Sequence, residues 1–113
     1  GLTEDGAMMS DHDPATGHWS KHLSWWEQNE AVVGFLNAWE LTGEEKFLDA
    51  SLKCMEFELE HFVDHEKGGW YTGTTLDGKT IVTKQKSNGY TCPYHNARMH
   101  MEIIERYRKY LEK

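Results

Sequence analysis

Two runs of apolar residues at helical spacing, joined by a single Thr-Gly step, constrain this chain more than any other feature. In the first, Trp25, Val32, Leu36 and Trp39 can share one side, and Val33 and Phe35 widen it. In the second, Leu48, Leu52, Met55, Leu59 and Phe62 recur at intervals of four, three, four and three. Ser24 with Glu27, and Thr42 with Glu45, have the spacing of capping boxes, so helices are expected to open at both places. Gly43 supplies the left-handed residue that ends the first. So short a connection predicts an antiparallel helix pair. Its buried seam is expected to be the stripe from Leu48 to Phe62, with Glu56, Glu58 and Glu60 on the wet side.

Gly68-Gly69 breaks the helical pattern. Trp70 to Leu76, the turn Asp77-Gly78 and Lys79 to Thr83 then predict a β-hairpin, a loop excursion between helices that needs something to lie on. Lys84 to Tyr90 reads as polar loop. A third helix is expected from Pro93 to about Glu112, with Ala97, Met101, Ile104 and Leu111 on its packed side. Tyr107 or Arg108 falls between them and Tyr94 joins them, while His95, Arg98 and Glu102 lie on another face. Residues 1–20 show little periodicity beyond a short extended piece at 6–10. The fold class is therefore all-α: three helices plus a β-hairpin, after an irregular lead-in.

The 113 residues allow one compact unit with a small core. A net charge of −7 without any basic run argues against nucleic acid as partner. No apolar run is long enough to cross a bilayer, and no signal peptide is visible. Cys54 and Cys92 sit far apart with no CxxC, as expected of reduced thiols in a cytoplasmic protein. Five Trp and five Tyr first suggest core, but indole faces also suit sugar rings. His12, His18 and His22, with Asp11 and Asp13, suggest a metal set, but the loop offers no rigid frame; solvated loop residues are the expectation. His61 and His65 stand four apart without a third ligand, so placement at a helix C-terminus is expected instead. No metal and no cofactor is therefore expected. The chain begins at Gly1 and not Met, as a piece cut from a longer protein would.

The chemistry concentrates in Cys92-Pro93-Tyr94-His95-Asn96-Ala97-Arg98-Met99. Pro93 fits a first helical turn, His95 can give and take a proton near neutral pH, and Arg98 on the same face is a permanent cation. Together with a helix N-terminus they suit negative charge developing on a small substrate. From these residues alone, a surface His and a surface Arg on an ordinary helix are the favoured account.

This segment is similar to the CPYHNGRM segment of the N-acylglucosamine 2-epimerase and cellobiose 2-epimerase family, and Trp25-Trp26-Glu27-Gln28-Asn29-Glu30-Ala31 resembles its WWxQAEA segment. Leu41-Thr42-Gly43 and Gly68-Gly69-Trp70-Tyr71 fall between them in the family's order. Two departures stand out: Asn29 in place of the usual Ala, and Ala97 in place of the usual Gly. The resemblance implies that residues 1–113 are the C-terminal part of an (α/α)6 barrel, whose N-terminal remainder would be this chain's partner. It implies an isomerase inverting C2 of a reducing-end sugar, in the manner of enzymes acting on β-1,4-linked disaccharides such as cellobiose or mannobiose. His95 would be one of two acid/base groups, the second lying upstream. Trp25, Trp26, Glu30 and Arg98 would bind substrate, with Trp26 the wetter of the two rings. For Arg98 an ion pair with Glu102 is the competing reading, and for Glu30 a solvated helix charge. Competing functions are an N-acylglucosamine 2-epimerase, a non-catalytic carbohydrate-binding module, and a self-associating interaction domain. The isolated piece is expected to be inactive, and to self-associate through faces that normally meet the rest of the barrel.

Overall fold

A computed structural model describes residues 1–83, 86, 87 and 92–112. Three strands, β1 (His12–Asp13), β2 (His18–Trp19) and β3 (His22–Ser24), precede helices α1 (Trp25–Thr42) and α2 (Glu45–His61). Strands β4 (Gly73–Thr75) and β5 (Ile81–Thr83) follow, and then helix α3 (Tyr94–Leu111). The expected helices and hairpin are all present. Most of the polar loop expected over 84–90 lies outside the described residues.

The hairpin lies on a strand that periodicity does not reveal. β3 pairs antiparallel with β4, so the order is β3-β4-β5 and Ser24 stands opposite Gly73. The three residues of β3 are too few to show alternation. The lead-in also holds structure: β1 and β2 form an antiparallel ribbon, with the His12 ring 4.4 Å from that of Trp19.

Sheet pairing explains why the Ser24 capping box does not form. Ser24 is extended and makes no side-chain cap, and the Trp25 N–H donates instead to Thr72 O at 3.2 Å. Thr42 belongs to the last turn of α1, where its hydroxyl donates to Ala38 O at 2.7 Å and accepts from the Glu44 N–H at 3.2 Å, so α2 opens without a box. Gly43 caps α1 as expected, at φ +71°, with its N–H on Trp39 O.

The core has two lobes. Ala31, Val32, Val33, Cys54 and Met99 form one; Ala7, Leu23, Phe57 and Phe62 form the other; Trp70 packs against both. The buried side of α2 is only partly the stripe expected from sequence: Phe62 is fully buried and Met55 packs against the first lobe, but Leu48 and Leu52 are half-buried. α2 buries Ser51, Cys54, Phe57 and Glu58, whereas Leu59 is 41% exposed. Ser51 at the seam with α1 donates to Val32 O at 2.7 Å, and its small side chain lets the helices approach. Glu58, expected on the wet side, is fully buried with neither carboxylate oxygen bonded. Burial pushes its pKa up to about 9.

α3 departs further. Met99 is its one fully buried residue among those described, while Met101, Ile104 and Leu111, expected on the packed side, are 64%, 59% and 85% exposed. Tyr94, expected to join them, is exposed too. Among the helices it packs chiefly on α1. Arg106 ties its far end to Asn37 and Glu40 of α1, and Trp39 meets Tyr110 with ring centres 5.0 Å apart.

Candidate active site

α1 and α3 meet near their first turns, and the candidate residues meet with them. Glu30 lies on the second turn of α1. Its Oε1 is 2.9 Å from His95 Nδ1, and Arg98 Nη2 donates to its Oε2 at 2.6 Å. One carboxylate therefore holds both side chains of the α3 motif. Arg98 is not paired with Glu102, which instead bridges to Arg106 at 2.8 Å along α3. Nor is Glu30 a lone solvated charge, since it, His95 and Arg98 are each about one-third exposed.

A carboxylate only accepts, so the Nδ1 facing Glu30 carries the proton. In the neutral ring Nε2 is then the nitrogen with a free lone pair, fixed in tautomer as a general base requires. Burial of Glu30 works against its ionisation. The hydrogen bond from His95 and the charge and hydrogen bond of Arg98 outweigh it, holding the carboxyl below its ordinary range.

Aromatic rings surround the imidazole. Trp26 lies 5.8 Å from it between centroids, Trp25 meets it edge-on at 6.1 Å, and Tyr94 edge-on at 5.1 Å. Trp26 is 42% exposed, whereas Trp25 packs toward the Leu23–Phe57–Phe62 lobe. Beside them opens a cavity of about 220 Å³ lined by Trp25, Trp70, Thr72, Cys92, Pro93 and Asn96 among others. The structure thus gathers His95, Glu30, Arg98, Trp25 and Trp26 into one place.

Three further residues take part to which the sequence assigns no site role. Tyr94 flanks His95 and does not pack inward. Gln28, fully buried, grips the first segment: it accepts from the Met8 N–H and donates to Met8 O, both at 2.7 Å. Asn29, 1% exposed, donates to Trp25 O at 2.8 Å and to Asn96 Oδ1 at 3.1 Å. Two adjacent amides on the core side of a helix are the available signal, because buried amides need partners.

The histidines considered for metal do other work. His22 lies in β3, His61 stacks on Phe57 with centroids 4.5 Å apart, and His65 lies beyond the helix end, 2.7 Å from Leu59 O. Among the described residues no group of three or more His, Cys, Asp or Glu could hold a metal ion. Cys54 is buried, Cys92 exposed, and both are free thiols. No described helix is long and apolar enough to cross a membrane.

Comparison with known proteins places this geometry. A family model described as N-acylglucosamine 2-epimerase matches residues 1–99. Cellobiose 2-epimerase of Ruminococcus albus is 41% identical over 104 residues, covering 91% of this chain and 26% of that protein. N-acylglucosamine 2-epimerase of Bos taurus is 31% identical over 70 residues, 62% of this chain and 16% of that one. The solved structure of cellobiose 2-epimerase from Bacillus thermoamylovorans superposes with a TM-score of 0.85 at 36% identity, over 94% of this chain and 27% of that one. The chain therefore spans about a quarter of the length of the cellobiose 2-epimerases it matches.

Proposed function

This chain belongs to the N-acylglucosamine 2-epimerase family, and from that premise we propose that it forms the C-terminal part of a sugar 2-epimerase, an isomerase built on an (α/α)6 barrel. The substrate is a reducing-end sugar, and the identity to cellobiose 2-epimerases favours a β-1,4-linked disaccharide over an N-acylated monosaccharide. One observation carries the reading: a single carboxylate, Glu30, holds the His95 imidazole and the Arg98 guanidinium together beside two tryptophans.

The reaction inverts C2. In the ring-opened sugar the C1 carbonyl acidifies the C2 hydrogen. His95 Nε2 takes that proton, the C–H electron pair becomes the C1–C2 double bond, and negative charge moves to O1, giving an enediolate. A proton delivered to the opposite face of C2 restores the carbonyl with inverted configuration. His95 serves one face, and a second acid/base group in the upstream part of the barrel serves the other. A base that titrates near the working pH suits both directions. Arg98, oriented by Glu30, offers its remaining donors to a sugar oxygen or to the growing oxyanion. The exposed face of Trp26 stacks on a sugar ring, and Trp25 closes the inner wall.

Exchange of the C2 hydrogen with solvent tests this proposal. The full-length protein should wash deuterium into C2 of cellobiose or mannobiose from D2O and epimerise it, and His95→Ala should abolish epimerisation together with exchange from the epimer whose C2–H faces His95. Sugar binding detected by tryptophan fluorescence without any exchange would establish a carbohydrate-binding module instead.

A further inference from the structure

We propose that Asn29 is a positioning residue for His95: its buried side-chain amide holds the first turn of α3 against α1 and so sets the distance from the imidazole to Glu30. This inference rests on the epimerase reading only for its kinetic readout.

The contacts run in register. Glu30 reaches His95, and the residue before Glu30 reaches the residue after His95: Asn29 Nδ2 donates to Asn96 Oδ1 at 3.1 Å. The same nitrogen donates to Trp25 O at 2.8 Å, one turn back, and the Trp25 ring meets the His95 imidazole edge-on. Both protons of one NH2 group are thereby used. Asn29 itself is 1% exposed, whereas its partners Trp25 and Asn96 are half-buried. Asn29 Oδ1 is buried with no partner, so the side chain gives up one hydrogen bond while its nitrogen makes two. A polar group left half-satisfied costs stability, and an Ala, the usual residue in the resembling motif, would avoid that cost. What the amide supplies is orientation: one bond across the helix pair to Asn96 of α3 and one back to Trp25 O within α1, beside the base.

The test compares Asn29→Leu and Asn29→Ala with wild type in the full-length protein. Leu is nearly isosteric, fills the site and removes both bonds, so it separates positioning from cavity formation. Turnover should fall roughly tenfold in both variants with KM changed less than twofold, and the pH profile of kcat should change shape. Proton NMR of histidine-labelled protein should show the His95 Nδ1–H signal weakened or moved upfield, whether or not the protein turns over sugar. Unchanged kcat, pH profile and Nδ1–H signal, with only thermal stability altered, would overturn the inference and leave Asn29 a packing residue. Absence of C2 exchange in wild type, with the Nδ1–H signal still moved in the variants, would reject the epimerase reading and keep the positioning role.

Discussion

Glu30 is where three roles converge on one side chain. Its carboxylate fixes the tautomer of His95, aims Arg98, and keeps both on the face shared by the tryptophans. Glu30→Gln should therefore lower kcat by about ten- to a hundredfold. Steady-state kinetics on the variant check this. Glu58 is the opposite case. Its folded pKa, about 9, lies above the unfolded one, so the folded state holds the extra proton. The contribution of Glu58 to stability is then fully present below the ordinary carboxyl range and falls by about 1.4 kcal/mol per pH unit as pH rises toward 9. Glu58→Gln should flatten that slope, as urea unfolding at pH 6, 7 and 8 would show. Sequence exposes the first residue and hides the second. Glu30 stands one turn from Trp26 in a run that resembles a known motif, whereas Glu58 sits among alternating glutamates that read as a solvated face.

At the scale of elements, helix limits were legible because local chemistry sets them. Gly43 ends α1, and Asp77-Gly78 turns the hairpin. Gly78 is doubly required: its φ is +72°, and an added Cβ would lie 2.5 Å from the His61 ring. Gly78→Ala should cost about 2 kcal/mol or more, against about 1 kcal/mol for Gly43→Ala, which meets open space. Chemical denaturation of the two variants checks the order. Helix faces were less legible, because periodicity shows that a helix is amphipathic without saying what covers it. α2 turns Ser51 and Cys54 to α1, and its leucine stripe is left partly exposed. α3 shows the same logic: its Met101–Ile104–Leu111 face is apolar, yet no described element covers it. β3 and the β1–β2 ribbon escaped notice because pairs and triplets of residues carry no period.

For the whole molecule, one ion pair fastens the loop regions. Asp64, nearly buried, takes Lys86 Nζ at 2.6 Å and the N–H groups of Glu66 and Lys67. The Lys86 hydrogen bond, then those backbone donors, hold its carboxyl far below the ordinary range. That stabilisation is present above the unfolded carboxyl range and is lost as pH falls through the depressed folded value. Lys86→Met should raise the pH of acid unfolding, as followed by circular dichroism. The uncovered α3 face fits a chain a quarter the length of its relatives. The isolated 113 residues should be inactive, and should self-associate with rising concentration in sedimentation experiments. The central claim is that His95 moves the C2 proton, and the most direct measurement is C2–H exchange in D2O, from cellobiose and separately from its C2 epimer, by the full-length protein and its His95→Asn variant. The wild type should exchange both epimers rapidly, and the variant should lose exchange from the epimer whose C2–H faces His95. Equal exchange by wild type and variant from each epimer would contradict it.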